Sequence, residues 1–407
     1  MHNLAIALAK KGYRITGSDD EIFEPSRSRL LKYGILPATE GWFPERITKD
    51  LDAIVLGMHA REDNPELARA KDLGLKIYSY PEYLFEQSRD KKRVVIGGSH
   101  GKTTITSMIL HVLQHYDMNC DYMVGAQLEG FEVMVRITDD APVMILEGDE
   151  YLTSPLDRRP KFHVYKPDIG LISGIAWDHI NVFPTFENYV EQFRIFADEI
   201  TKNGSLVYCV DDPEVKKIGE NARSDIATHP YGIPEHLVED GVTRLIFNGR
   251  TYSLNVFGDH NLLNLNGARL VCRQLGISDG QFLEAIQSFA GASRRLEQVA
   301  ENEHTTVYKD FAHSPSKLLA TTKAVKNQFP DRQLVACIEL HTYSSLSEAF
   351  LSHYKGSLDD ADVAMVYYSQ HALQLKRLPD LSPEQVKAAF ANPDLSVFTD
   401  SSKLRSD

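Results

Sequence analysis

A short run of glycine, basic and hydroxyl residues near position 100 is the clearest candidate for chemistry in this chain. It follows an apolar stretch at residues 94–96 and comprises Gly98, Ser99, His100, Gly101, Lys102, Thr103 and Thr104. Apolar residues then recur at helical spacing, so the pattern predicts a buried strand, a glycine loop and a helix. The backbone N–H groups of such a loop and the positive end of the helix dipole favour a bound phosphate.

The residues after the second glycine favour a nucleotide. Lys102 would neutralise phosphate charge, and the Thr103 hydroxyl can bind Mg²⁺. The usual motif is G-x-x-x-x-G-K-[ST], and here Ile96 stands where its first glycine would be. An ordinary glycine turn before a helix is the alternative, but the flanking strand and helix favour a phosphate loop.

Acidic and imidazole side chains follow two other predicted strands. Glu147 ends one strand, and Asp178 with His179 follows another. In a parallel sheet these strand ends share the edge that carries the phosphate loop. Mg²⁺ prefers oxygen ligands and keeps several waters, so Glu147 with Thr103 is a sensible ligand set. A solvated loop is the alternative for each acidic residue.

Composition limits the function classes. The net charge of -13 argues against a general nucleic-acid binder, which needs a basic face. The four cysteines are far apart and form no C-x-x-C pair, which fits a reducing cytoplasm. No apolar run could span a bilayer, and the first residues have no signal-peptide pattern. We therefore predict a cytoplasmic globular protein that binds neither nucleic acid nor membrane.

Strands alternate with helices along the chain, which predicts an α/β fold with parallel, doubly wound sheets. The first part has a predicted helix at residues 4–9 and a predicted strand at 13–16, which ends in a Gly-Ser-Asp turn. A Rossmann-like unit normally begins with a strand and a glycine loop. We expect that both would precede Met1.

Three domains are predicted. Residues 1–90 form a Rossmann-like domain, and residues 91–292 form a central phosphate-loop domain with a parallel sheet. Residues 293–407 form a smaller Rossmann-like domain, which we expect to lack its last elements. The polar stretch at 88–92 and the Gly-Ala-Ser stretch at 291–293 are the predicted linkers.

The motifs together resemble the Mur ligases of peptidoglycan synthesis. These ATP-dependent enzymes join an amino acid or a peptide to a UDP-linked muramic acid. The resemblance covers nearly the whole chain, and its motifs occur in the family's order at residues 17–19, 63–67, 98–104, 147–150, 178–179, 258–264, 294–297 and 310–315.

Within this family the chain is most similar to the branch that acts on UDP-N-acetylmuramate. Some members of that branch attach L-alanine, and murein peptide ligases reattach the tripeptide L-Ala-γ-D-Glu-meso-diaminopimelate. Residues 151–167 and 178–184 favour the tripeptide, with L-alanine as the alternative. The resemblance therefore implies ATP and Mg²⁺. It also implies that residues 1–90 bind the UDP-sugar, UDP-N-acetylmuramate, and that residues 293–407 bind one of these amines. We expect a monomer or a weak dimer.

The resemblance also implies roles for the central residues. Lys102 and Thr103 would hold the ATP phosphates and Mg²⁺, within a loop that begins at Gly98. Glu147 and His179 would bind a second metal ion.

The resemblance also implies roles for five residues in the second half of the chain. Asn264 would contact adenine, with Asn261 near the nucleotide. Arg295 and Asp310 would close over ATP, and His313 would lie near the reacting end. Local roles are the alternatives: capping of a helix N-terminus for Asn261 and an exposed helix position for Asn264, a solvated linker for the arginine, and the start of a helix for the histidine.

Several positions depart from the family pattern. Residues 174–176 replace its Asn-x-Glu, Leu152 replaces an aspartate, and Ser314 replaces the second histidine of His-His-Pro. Residues 191–194 offer no lysine for carbamylation. A non-catalytic nucleotide-binding relic is a second hypothesis, which the expected absence of the first strand favours and the intact Lys102, Glu147 and Arg295 oppose. A phosphate-loop kinase or GTPase is a third, but the chain lacks the guanine-reading Asn-Lys-x-Asp run.

Overall fold

A computed structural model describes residues 1–58, 60–128, 130–154, 156–179, 182–292 and 295–404. The chain divides into two compact units. The first comprises Met1–Gly98, Val112–Ser173 and Val190–Pro230, and the second comprises Ser99–His111, Gly174–Tyr189 and Tyr231–Asp407. No helix in the described ranges is long and apolar enough to cross a membrane.

The elements alternate as the sequence predicts. Those before the glycine loop are α1 His2–Lys10, α2 Ser26–Lys32, β1 Ile54–Leu56, α3 Pro65–Asp72, β2 Ile77–Ser79, α4 Tyr80–Gln87 and β3 Lys92–Gly97. After it follow α5 Lys102–His115, β4 Asp121–Met123, β5 Val135–Arg136, β6 Val143–Glu147, α6 Lys161–Val164, β7 Ile169–Ile172, α7 Phe186–Asp198, β8 Ser205–Cys209, α8 Pro213–Glu220 and β9 Ala227–Tyr231.

The remaining elements lie in the second half of the chain. They are β10 His236–Glu239, β11 Val242–Phe247, β12 Arg250–Leu254, α9 Asp259–Gln274, α10 Asp279–Ile286, β13 Glu297–Glu301, β14 Thr306–Lys309, α11 Pro315–Gln328, β15 Val335–Leu340, α12 Glu348–Leu351, β16 Val363–Tyr368, α13 Gln370–Leu375, α14 Pro383–Phe390, β17 Ser396–Phe398 and α15 Ser401–Leu404.

The main sheet has the order β5-β4-β6-β3-β7-β8-β9 among the described residues. Strand β3 runs parallel to both of its neighbours, β6 and β7. Its residues 94–96 are fully buried, as expected for a parallel strand covered on both faces. The predicted parallel α/β fold is confirmed. Because these three strands are parallel, their carboxyl ends share the edge that carries Gly97 and Glu147.

The N-terminal part differs from prediction in one element. Strands β1 and β2 form a parallel pair, and residues 13–16 are not a strand in the structure. A strand needs a neighbour for its backbone N–H and C=O groups. In the described part of the chain β1 and β2 pair only with each other, and the Tyr13 side chain stays exposed. The pattern of residues 13–16 favours an extended backbone, but it cannot provide a neighbouring strand for pairing.

The second unit contains a hairpin and a small parallel sheet. Asn248 and Gly249 join β11 to β12 with φ of 49° and 73°, as a hairpin turn with two left-handed residues requires. Strands β15, β16 and β17 pair in parallel. Their buried face packs with helices α11 to α14 in one core, which includes Leu340, Tyr354 and Val366.

Candidate active site

Two glycines shape the loop between β3 and α5. Gly98 has φ of +133° and Gly101 has φ of +75°, conformations that a side chain strains. A Cβ at Gly98 would lie 2.0 Å from Ser173 Oγ, and a Cβ at Gly101 would lie 2.1 Å from Asn264 Oδ1. Glycine is therefore required at both positions for two reasons, its backbone conformation and the lack of space.

Ser99 anchors the loop through three hydrogen bonds. Its N–H donates to the carbonyl of Gly174 at 2.9 Å, and its Oγ accepts from the N–H of Ala176 at 3.0 Å. Ser99 Oγ also lies 2.8 Å from the Tyr189 hydroxyl, and both side chains are buried. These bonds hold the loop backbone in one conformation, as electrostatic preorganisation of a phosphate site requires.

The residues predicted to bind phosphate begin helix α5. Lys102 is its first residue, and no acidic residue lies in its first turn. Thr103 and Thr104 follow and are both 6% exposed. A helix of 14 residues presents its partial positive charge here. The loop and the start of the helix thus suit a polyphosphate.

The two asparagines of α9 have different surroundings. Asn264 is 8% exposed and lies against Gly101, at the phosphate loop. The Asn261 side-chain amide donates to the carbonyl of Phe257 at 2.9 Å, near the start of α9. The structure therefore brings Asn264 to the loop, and it gives Asn261 a bond that stabilises the helix start. Their roles toward adenine and the nucleotide stay predictions.

A tight turn holds Asp178 and His179 after β7. His179 has φ of 55°, an uncommon conformation for a residue with a side chain. Its N–H donates to Asp178 Oδ1 at 2.7 Å, and its carbonyl accepts from the N–H of Phe183 at 2.9 Å. Burial alone would raise the pKa of Asp178, but His179 and Lys317 together hold it below its ordinary value.

Glu147 lies at the end of β6 and belongs to the first compact unit, whereas Thr103 and His179 belong to the second. Its Oε2 accepts from the N–H of Gly125 at 3.0 Å, which orients the carboxylate. The described residues contain no group of three or more His, Cys, Asp or Glu side chains that could hold a metal ion. A carboxylate oriented in this way suits a Mg²⁺ that keeps its waters and phosphate oxygens. The metal ligands stay predictions.

Asp310 organises the start of the third predicted domain. Its Oδ1 accepts from the N–H groups of Leu296 and Phe311, at 3.1 and 2.8 Å, and its Oδ2 accepts from the Thr321 hydroxyl. The Arg295 guanidinium lies 4.9 Å from the centre of the Phe311 ring. The structure therefore brings the chain segments of Arg295 and Asp310 into contact.

Some residues of the predicted motifs lie outside the described ranges. These are Arg294 of the motif at 294–297, Pro155 of the stretch at 151–167, and Ile180 and Asn181 of the stretch at 178–184.

Two histidines of the second unit are uncharged at pH 7. Burial lowers the pKa of His100 to about 3 and that of His313 to about 4, and the charge of Lys317 adds to both shifts. His100 Nε2 lies 3.3 Å from the Ser316 hydroxyl of α11, and the Tyr354 hydroxyl donates to the His313 carbonyl at 2.5 Å. The phosphate loop therefore contacts the start of α11.

A cavity of about 280 Å³ lies beside this contact, within the second unit. Its lining combines the loop, the turn after β7 and two segments near α11 and α12: Ser99, His100, Ala176, Trp177, Asp178, Ser314, Pro315, Ser316, Leu319, Phe350, His353, Lys355 and Ser357. Sequence reasoning missed Trp177, His353 and Lys355. Only Trp177 had a signal, its place beside Asp178, because the other two lie about 250 residues from the loop and match no motif.

Family models and relatives agree with this architecture. A model described as "Mur ligase family, catalytic domain" matches residues 1–92, and one described as "Mur ligase middle domain" matches residues 96–272. A UDP-N-acetylmuramate–L-alanine ligase of Caldicellulosiruptor bescii is 31% identical over 385 residues, which is 90% of this chain and 80% of that protein.

Solved structures share the fold at lower identity. A UDP-N-acetylmuramate–alanine ligase from Thermotoga maritima has a TM-score of 0.70 and 21% identity, covering 99% of this chain and 89% of that one. A murein peptide ligase from Psychrobacter arcticus has a TM-score of 0.66 and 21% identity, covering 100% of this chain and 90% of that one. Together with the glycine loop between β3 and α5, these matches show that the chain belongs to the Mur ligase family of ATP-dependent ligases, which form carbon–nitrogen bonds.

Proposed function

We propose that this ligase joins L-Ala-γ-D-Glu-meso-diaminopimelate to the lactyl carboxylate of UDP-N-acetylmuramate, at the expense of ATP. The observation that carries the ATP chemistry is the anchored glycine loop, in which Gly98 and Gly101 leave no room for a side chain. The stretches at 151–167 and 178–184, which resemble murein peptide ligases, support the tripeptide as the amine substrate.

The reaction needs ATP because hydroxide is too poor a leaving group for an amine to displace from a carboxylate. A carboxylate oxygen attacks the γ-phosphorus, the bond to the β,γ-bridging oxygen breaks, and ADP leaves. The amine nitrogen then attacks the acyl carbon, the carbon–oxygen bond to phosphate breaks, and the nitrogen loses a proton. The protein mainly positions the groups and stabilises negative charge.

The chain's own residues provide that positioning. The loop amides and Lys102 bind the phosphates, and Arg295 adds a second positive charge. Thr103, Glu147 and His179 would hold Mg²⁺, which neutralises phosphate charge when bound. His313 would lie near the reacting end. Closure of residues 293–407 would exclude water, which would otherwise hydrolyse the acyl phosphate.

L-Alanine is the second candidate for the amine. The relatives that are about 30% identical are named UDP-N-acetylmuramate–L-alanine ligases, and this observation favours it. Both candidates share the acid, ATP and the acyl phosphate, so they differ only in the amine that the protein accepts.

A phosphate-release assay tests the proposal. The protein is mixed with ATP, Mg²⁺, UDP-N-acetylmuramate and either the tripeptide or L-alanine, and the product is identified by mass. We expect a kcat/KM for the tripeptide that is at least about tenfold higher than that for L-alanine. L-Alanine lacks the contacts that the rest of the tripeptide makes, and a loss of about 1.4 kcal/mol corresponds to a factor of ten. A reversed preference would assign the second candidate.

Two variants make the test specific for the phosphate loop. Lys102→Ala should abolish turnover, whereas Lys202→Ala, an exposed lysine outside the loop, should leave it unchanged. A folded protein that binds a fluorescent ATP analogue but turns over neither amine would support the non-catalytic relic and reject the ligase.

The remaining predictions concern organisation. We propose the domain limits 1–90, 91–292 and 293–407 and a monomer or weak dimer in the cytoplasm. Limited proteolysis should cleave first near residues 88–92 and 291–293, and sedimentation over a range of concentrations should show the oligomeric state.

A further inference from the structure

A second cavity, of about 640 Å³, lies within the first compact unit and forms an open groove on its surface. One wall is the segment that leads into α6, with Leu156, Arg158 and His163, and the other wall is α7, with Gln192 and Ile195. None of the residues proposed to bind ATP or Mg²⁺, or to lie near the reacting groups, is part of this lining. The groove therefore needs an explanation of its own.

The loop that forms the first wall is ordered by its own hydrogen bonds. The N–H of Thr153 donates to the carbonyl of Arg159 at 2.8 Å. The Asp157 carboxylate accepts from the backbone N–H and from the Nε of Arg159, both at 3.0 Å. A loop closed in this way presents its exposed side chains in fixed positions, which lowers the entropy that binding would cost.

His163 joins the two walls of the groove. It is 5% exposed, and its Nε2–H donates to the carbonyl of Gln192 in α7 at 2.7 Å. Burial lowers the pKa of His163, so the ring is uncharged at pH 7 and adds no charge to the groove. The hydrogen bond fixes the distance between the walls, and the groove is therefore formed before a ligand binds.

Arg158 carries the one charge of the lining that has no partner among the described residues, and its side chain is exposed. The other charges of the lining are paired: Arg159 bonds to Asp157 at 2.6 Å, and Glu199 bonds to Lys166. An unpaired guanidinium beside paired neighbours attracts an anion, and its planar fork matches the two oxygens of a carboxylate.

Leu156 places apolar surface beside Arg158. It is 39% exposed, and it is the one exposed large apolar side chain among the described residues from 91 to 230. Ile195 lies half-buried on the opposite wall. Small-molecule sites enclose most of their ligand, whereas an exposed arginine and leucine at the rim of a groove suit a contact between proteins, in which arginine often contributes much of the affinity.

We propose that this groove binds a short segment of a partner protein in which a carboxylate stands next to an aliphatic side chain. Arg158 would bind the carboxylate, and Leu156 and Ile195 would contact the aliphatic side chain. The surface would link the ligase to another protein without using the residues proposed to bind ATP. This proposal does not depend on which amine the ligase accepts.

An array of hexapeptides tests the proposal. Each peptide combines aspartate or glutamate with leucine, isoleucine or valine, and its matched control has asparagine or glutamine in place of the acid. Binding to the full chain is measured by fluorescence polarisation. We expect the acidic peptides that bind to do so at least about tenfold more tightly than their amide controls, the low end for a hydrogen bond between charged groups.

Variants of the groove locate the contact. Arg158→Ala should weaken binding about tenfold, and Arg158→Lys should weaken it less, because lysine keeps the charge but not the fork. Leu156→Ala should weaken it about threefold, since the peptide would bury the part of this side chain that is still exposed. Arg69→Ala, an exposed arginine of α3 outside the groove, is the matched control.

Two further measurements separate a direct contact from a structural effect. Arg158→Ala should remove the difference between an acidic peptide and its amide control, because the two changes delete the same interaction. The urea midpoint of unfolding should not change in Arg158→Ala, since that side chain is exposed and unpaired among the described residues.

Several outcomes would overturn the proposal. These are amide controls that bind as tightly as the acidic peptides, no binding by any peptide of the array, or binding that Arg158→Ala leaves unchanged. A raised KM for the amine in Arg158→Ala would assign the groove to the ligase reaction instead, and a shifted monomer–dimer equilibrium would assign it to a second copy of the chain. Absence of turnover in the folded wild type would reject the proposed function and leave this proposal intact.

Discussion

Substitution of Gly101 by alanine tests whether the glycine loop needs both its conformation and its free space. An alanine at φ of +75° costs about 1–2 kcal/mol of stability from backbone strain alone. The new Cβ would also lie 2.1 Å from Asn264 Oδ1, so that buried side chain must move. Displacing a buried polar group costs about 1–3 kcal/mol more. We therefore expect a total loss of about 2–5 kcal/mol and a raised KM for ATP.

The hairpin between β11 and β12 supplies the matched control. Gly249 has φ of +73°, almost that of Gly101, but nothing lies within 4 Å of its would-be Cβ. Gly249→Ala should therefore cost only the strain, about 1–2 kcal/mol, and leave the KM for ATP unchanged. Urea unfolding of both variants gives the difference, and ATP kinetics show whether the loop has moved.

A third variant isolates the steric part. Combining Gly101→Ala with Asn264→Ala removes the colliding side chain, so the double variant should be more stable than the sum of the two single losses predicts. If Gly101→Ala were no more destabilising than Gly249→Ala, or if the double variant were simply additive, the reasoning about the loop would be refuted.

Three further predictions concern the groups around the loop. Tyr189→Phe removes the hydroxyl that bonds to Ser99, so it should cost about 1 kcal/mol in urea unfolding and raise the KM for ATP; an unchanged KM would count against the anchoring role. His100 and His313 have lowered pKa values, about 3 and about 4, so the unfolded chain binds their protons first as the pH falls below 6.5. Their contribution to stability is complete above pH 6.5 and declines as the pH falls toward 4, and a His313→Gln variant should flatten that decline in acid unfolding curves. Asp310→Ala leaves two backbone N–H groups without their acceptor, so it should cost about 1–3 kcal/mol, whereas Asp310→Asn should recover part of the loss.

Much of the fold followed from local patterns. The apolar run before Gly98 predicted β3, and Asn248-Gly249 predicted the turn between β11 and β12, because both depend only on burial and on local backbone conformation. The short strands β4, β5 and β13 were not predicted, since they have only two to five residues and no clear alternation. Residues 13–16 had a strand pattern but no neighbouring strand to pair with.

The amino-acid sequence by itself determined the phosphate loop, the parallel α/β class and the family, because glycine conformation, apolar periodicity and motif order are properties of neighbouring residues. The tertiary structure alone decided that Asn264 lies against Gly101, that burial keeps His100 and His313 neutral, and that Lys355 shares a cavity with Asp178. These features depend on which distant segments pack together, and that choice is made by the burial of whole elements rather than by spacing along the chain.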